Sequence, residues 1–220
     1  MKEQSQAPRI EPRWPAALAI LILLFLLEVL PGRIRLLPRW VFYVMAISTL
    51  VPMVAVTLTT GKVRWLSAER TVTLLFFVAA SAGNLASLTN LIYAMAHRSA
   101  QLTGIQLLAS SIAVWVTNIL AFSLLYWQID REGPEARLNH ATVKPDWLFP
   151  QEEVPDSVRP GWRPRFVDYL FQGFSTATAF STTHAVPLTS RAQILMMLES
   201  SISLVTLVVV AARAINIFGT

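Results

Sequence analysis

The chain has 220 residues, 54% of them hydrophobic and 14% charged, with no cysteine and a formal net charge of +5. Soluble domains carry about 25% charged residues, and the deficit here falls in long apolar runs, so the composition points to an all-α membrane protein. The lack of cysteine excludes disulfides, thiolate metal sites and cysteine nucleophiles. No Lys/Arg run with interleaved aromatics, of the kind that grips nucleic acid, is present.

A spanning helix needs roughly 20 mostly apolar residues, and this chain has room for about five. The first covers about Trp14–Leu30. Glu28, Pro31 and Gly32 stand where a cleaved leader would carry small residues, so it reads as a retained helix. After a basic turn with Arg33, Arg35 and Arg39, a second helix covers about Trp40–Thr60, with Pro52 predicting a kink. Gly61, Lys62 and Arg64 mark the next turn. The third helix covers about Thr71–Ala96 and carries Ser81, Gly83, Asn84, Ser87 and Asn90, with Gly83 and Ser87 spaced for close helix packing. The fourth covers about Leu102–Trp127, places Ser111 and Asn118 on one face and ends in Tyr126-Trp127, as an aromatic belt would. Residues 1–128 thus form a four-helix transmembrane region.

Residues 129–165 differ in kind. Seven acids, six bases and six prolines make an aqueous loop of irregular structure, whose acids are expected to be solvated. Beyond it, residues 166–220 hold a short helix over Phe166–Ala179, a polar return and a long apolar helix over Leu188–Ile217. A helix too short to span, a return and a spanning helix predict a re-entrant loop, since non-helical backbone at membrane depth is tolerated only inside protein or beside water.

The stretch Tyr169-Leu-Phe-Gln-Gly-Phe-Ser-Thr-Ala-Thr-Ala-Phe-Ser-Thr-Thr-His-Ala-Val-Pro187, continued by Leu-Thr-Ser-Arg191 and Met197-Leu-Glu199 through Ala212-Arg213, resembles the pore domain of the potassium-channel superfamily, without gaps from Tyr169 to Arg213. The resemblance implies a pore helix, a filter-like stretch (Thr178, Ala179, Phe180, Ser181, Thr182, Thr183, His184), an inner helix and a homotetramer around one axis. Potassium filters read Thr-Val-Gly-Tyr-Gly. Here Ala179 to Thr183 occupy those positions without either glycine, His184 replaces the usual acid, and Ser203 replaces the inner-helix glycine. Serine and threonine resist the backbone conformations that glycine permits, so a column of potassium-coordinating carbonyls is not expected, and the permeant ion stays open. The whole chain also resembles a group of bacterial multi-spanning proteins with the same pore-like C-terminus, a likeness that supplies no activity.

Along the last helix Glu199, Ser203, Thr206, Val210 and Arg213 follow a 4-3-4-3 spacing on one stripe. It either lines a pore or bridges helices, with Glu199 and Arg213 reaching the two membrane faces. His184 is a candidate titrating group at a pore mouth or a solvated loop residue. Asn84, Asn90 and Asn118 either bond between helices or mark a solute site. Glu28 is expected to pair with Arg33 or Arg35. No metal-ligand spacing, nucleophile elbow or phosphate loop appears, so neither enzyme activity nor a cofactor is expected. The expected function is a pore-loop ion channel or channel-like multi-pass protein of the cell membrane. Its partners are the bilayer and further copies of itself. A non-conducting channel-fold scaffold or sensor and a small-solute transporter are the alternatives. The pore resemblance puts the C-terminus in the cytoplasm, whereas the Lys/Arg count agrees at Arg33, Arg35, Arg39 and Arg98 and disagrees at Lys2, Arg9, Arg13, Lys62, Arg64 and Arg70, so charge does not fix the orientation.

Overall fold

The computed structural model describes residues 11–30, 38–59, 63–96, 103–139, 143–178 and 185–218. Four of its helices are long and apolar enough to cross a membrane: α2 (Arg39–Leu58), α3 (Val63–Ala96), α4 (Gly104–Ile129) and α8 (Ser190–Phe218). The chain is a helical protein of membrane type. The helix expected first, α1 (Trp14–Val29), has 16 residues. At 1.5 Å per residue it is about 24 Å long, less than the ~30 Å hydrocarbon layer. Pro15 sits in its first turn, where a missing N–H costs nothing.

Helix direction follows from which ends touch. Tyr43, early in α2, donates to Glu28, late in α1, at 3.0 Å. Arg13, just before α1, bonds Glu69 near the start of α3 and Glu135 just past the end of α4. Successive helices α1 to α4 therefore alternate in direction. One end of the bundle gathers the starts of α1 and α3 and the end of α4. We call this the cap end.

Helix α4 is the hub. Its apolar window is 67% buried inside the chain, against 22–33% for those of α2, α3 and α8. It packs against α1, α3, α8 and α7 (Phe166–Thr178). A capping box starts it: Thr103 Oγ1 accepts from Gln106 N, and Gln106 Oε1 accepts from Thr103 N. Its far end carries an aromatic chain, Phe77–Phe122–Tyr126–Trp147, with centroids 4.7–6.0 Å apart.

Two expectations need correction. The third helix begins at Val63 rather than near Thr71. The residues 63–70 contain no breaker, and the charge of Glu69 is matched by Arg13 rather than by water. The 129–165 segment is folded over the cap end rather than uniformly solvated. It contains α5 (Pro134–Asn139), β1 (Trp147–Leu148), α6 (Pro150–Glu153) and two 3-10 turns. Trp147, Phe149, Asp130, Arg137 and Asp146 within it are all buried, whereas Glu132, Glu153 and Asp156 are exposed as expected.

Buried charges persist only when paired and hydrogen-bonded, and here they are. The Glu11 carboxylate accepts from Trp127 Nε1 (3.0 Å), Phe166 N (2.9 Å) and Arg137 Nη2 (3.2 Å). Arg137 also donates to the carbonyls of Trp127 and Asp130 and lies over the Tyr169 ring at 4.8 Å. Burial of Arg13 works against its charge, but Glu69 and Glu135 outweigh it and hold its pKa above the ordinary value. Arg131 pairs with Glu152.

Among the described residues of its own chain Gly83 meets no close helix neighbour, since nothing there lies within 4 Å of the place a Cβ would take. Ser87 turns its hydroxyl back to the Gly83 carbonyl at 2.8 Å. Glu28 has Tyr43 as a partner, while Arg33 and Arg35 lie outside the described residues.

Candidate functional site

The site is built where α7 and α8 meet α4. Helix α7 starts at the cap end, where Tyr169 donates to Asp130 Oδ2 at 2.5 Å and the Glu11 carboxylate accepts from its first N–H. It then runs beside α8 in the same direction. Gln172 stands abreast of Met196, and four residues further along each helix Ser200 Oγ donates to the Thr176 carbonyl at 3.2 Å.

After α7 the chain comes back. Ala185 N donates to Gln172 Oε1 at 2.8 Å, so Ala185 lies level with the second turn of α7 rather than beyond its end. Val186–Pro187 forms β2, which pairs antiparallel with β1 at the cap (Trp147↔Pro187, Leu148↔Val186). Leu188 N then donates to the Asp146 carbonyl, and Thr189 and Arg191 bond the Asp146 carboxylate, which fixes the start of α8. Asp146 is itself tied to the end of α4 through its N–H on Asp130 Oδ1 at 2.7 Å. The buried Gln172 amide is therefore a clamp, its oxygen on the returning backbone and its nitrogen toward Thr176 and the Met196 sulfur.

Of the expected filter residues, Thr178 ends α7 with its hydroxyl on the Phe174 carbonyl. Ala179, Phe180, Ser181, Thr182, Thr183 and His184 lie outside the described residues, as does the side chain of Arg213. Glu199, Ser203 and Thr206 share one face, as their spacing predicts, and each is 0% exposed. That face is covered by the same chain. Asn118 of α4 donates to Ser203 Oγ (2.9 Å) and to the Glu199 carbonyl (3.2 Å), and Tyr126 donates to Glu199 Oε2 at 2.6 Å. Thr206 turns its hydroxyl to the Ile202 carbonyl, and Val210 is half-buried. The helix-bridging reading describes these contacts, and Asn118 takes part in it. Asn84 is buried on α3, and its side-chain oxygen has no partner among the described residues.

Three features were not anticipated from the sequence. Glu199 Oε1 is buried and, among the described residues, has no hydrogen-bond partner. It faces Gly173, where an added Cβ would collide with Ser123 Oγ and stand 3.3 Å from both Glu199 Oε1 and the Ile119 carbonyl. Gly173 is thus a point of close approach of α7 to α4 and α8, and a glycine inside an otherwise helical pattern was its only sequence signal. The uncovered face of α8 carries Met197, Ser201, Leu204 and Val208 in the same 4-3-4 spacing, on the side of the helix opposite the expected stripe. A cleft of about 560 Å³ opens between α7 and this face, lined by Thr176, Gln193, Met197, Ser200 and Ser201.

Comparison with protein-family models, with curated proteins and with solved structures gives no match.

Proposed function

We propose that the chain is a channel-like pore-loop protein: α7 and the return to β2 form a re-entrant hairpin, and four copies place this hairpin around a shared axis. The observation that carries the reading is the Ala185–Gln172 hydrogen bond with the β1–β2 pairing. A helix of 13 residues enters beside α8, and the chain regains the cap end before α8 begins. At about 20 Å such a helix is too short to cross, and its polar backbone ends need protein or water around them.

Two further features support assembly around α8. The face of α8 turned from its own chain is apolar and long, with Met197 at 68% exposure, while the cleft beside α7 adds Thr176, Ser200 and Ser201. Large uncovered apolar surfaces of this kind lie against lipid or another subunit. The axis would then be lined from Met197, Ser201, Leu204 and Val208, and by the stretch Thr178–His184, with Glu199, Ser203 and Thr206 bracing α8 from behind. A filter without glycine is not built for potassium selectivity.

The test is reconstitution. Purified protein in liposomes is expected to behave as a tetramer and to pass ions above an empty-vesicle control, with flux changed by Thr182→Ala and by His184→Ala. Monomers without flux would contradict the proposal. Tetramers without flux under varied ions and pH would leave the channel fold as a scaffold.

A further inference from the structure

The arginines packed into the cap each meet a carboxylate: Arg13 has Glu69 and Glu135, Arg131 has Glu152 and Arg137 has Glu11, and the exposed Arg191 has Asp146. Arg159, Arg163 and Arg165 do not. Among the described residues none of these three meets a carboxylate, although they lie within seven residues of one another. Among the described residues the only side-chain hydrogen bond of the three is Arg163 Nη1 on the neighbouring Trp162 carbonyl at 3.4 Å.

Their placement is fixed by local chemistry. Arg159-Pro160-Gly161-Trp162 is a turn closed by Trp162 N donating to the Arg159 carbonyl at 3.0 Å. Gly161 has φ +72°, the value its position after proline in a type II turn requires. Trp162 packs on Phe149 at 6.1 Å, and Phe149 packs edge-on against Tyr169 of α7 at 5.3 Å. Arg165 N is held by Asp168 Oδ2 at 2.7 Å. The basic segment is therefore anchored to the first turn of α7.

It borders a cavity of about 890 Å³ that opens to the cap surface, walled by the three arginines with Trp162, Leu138 and Pro12. The one acid at its edge, Glu11, spends its carboxylate on Trp127, Phe166 N and Arg137. The cavity thus presents three uncompensated guanidiniums, an indole and apolar walls. Guanidinium groups match phosphate oxygens bidentately.

We propose that this cavity is an anion site that takes a phosphate-bearing ligand. Phospholipid headgroups and small soluble phosphates share that chemistry. The inference does not depend on the pore-loop reading, because it concerns binding rather than conduction.

The test uses the full-length protein in a neutral detergent. One arm adds phosphatidylglycerol or phosphatidylcholine and counts retained lipid by native mass spectrometry. The other adds inorganic phosphate or sodium chloride at matched ionic strength and reads the thermal unfolding midpoint. Variants are Arg163→Gln alone, whose lost contact is one long hydrogen bond, the triple Arg159→Gln/Arg163→Gln/Arg165→Gln, and an Arg64→Gln/Arg70→Gln control for charge. Phosphatidylglycerol retained over phosphatidylcholine identifies a headgroup site. Stabilisation by phosphate over chloride without lipid preference identifies a soluble ligand. In either case the affinity should fall about tenfold in Arg163→Gln and further in the triple variant, as loss of charge-assisted hydrogen bonds requires, and stay unchanged in the control. Equal binding by wild type, Arg163→Gln and the control, or no preference in either arm, would overturn the proposal.

Discussion

Tyr126 donates its hydroxyl to Glu199 Oε2 at 2.6 Å, joining α4 to α8 where both side chains are fully buried. Since Glu199 Oε1 has no partner among the described residues, this bond is the main satisfaction of the carboxyl group there. Tyr126→Phe should therefore destabilise the fold by about 1–3 kcal/mol, the cost of a buried polar group left unmade. Glu199→Gln keeps an acceptor of the same shape and should cost less. A double-mutant cycle, read from unfolding in detergent, should give a coupling of about 0.5–2 kcal/mol. Strict additivity would mean the two groups do not interact.

The two helical glycines make opposite predictions. Gly173→Ala forces a methyl group into Ser123 Oγ and toward Glu199, so it should cost about 1–3 kcal/mol through overpacking. Gly83→Ala meets open space and should be neutral or stabilising by up to ~1 kcal/mol, the helix-propensity difference. Comparing unfolding midpoints of the two variants checks the pair at once.

Removal of Arg13 leaves Glu69 and Glu135 facing each other without a cation. Arg13→Ala should cost about 3–5 kcal/mol, the penalty for stranding a buried charge, and Arg13→Met with Glu69→Gln should recover part of it. The Arg13 pKa is raised, so its contribution is fully present below the unfolded-state value. It is lost only as pH rises through the folded-state value. Wild type should thus keep its advantage over Arg13→Met across neutral and mildly alkaline pH. A decline through that range would contradict the pairing.

Gln172 holds the returning backbone through one bond to Ala185 N. Gln172→Leu removes the acceptor while keeping a buried, helix-compatible side chain. The Ala185 amide should then exchange with solvent about tenfold faster or more, for a bond worth roughly 1.4 kcal/mol. The Leu188 amide, which bonds the Asp146 carbonyl instead, should change little. Equal acceleration at both would point to opening of the whole cap.

Helix positions were readable because apolar runs and Pro-Gly breaks are local signals; the Thr103-x-x-Gln106 cap is just as local but was not read, and the fourth helix was begun at Leu102. The early start of α3 and the burial of the cap were not. They depend on ion pairs such as Arg13–Glu69 and Glu11–Arg137, separated by 56 and 126 residues, and a charged residue in isolation reads as solvated. The stripe through Glu199, Ser203 and Thr206 illustrates a different limit. Periodicity identifies which residues share a face, but not whether that face meets water, lipid or α4. Gly173 was missed because a glycine reports a close approach only once its neighbour is known.

The most direct measurement of the hairpin uses the absence of native cysteine. Single cysteines in place of Ser157, His184, Ser190 and Thr220 can be labelled with a membrane-impermeant maleimide in vesicles of one orientation. The account predicts that Ser157→Cys, His184→Cys and Ser190→Cys react from one face and Thr220→Cys from the other. Labelling of Ser157→Cys and Ser190→Cys from opposite faces, or of His184→Cys only from the face that exposes Thr220→Cys, would contradict it.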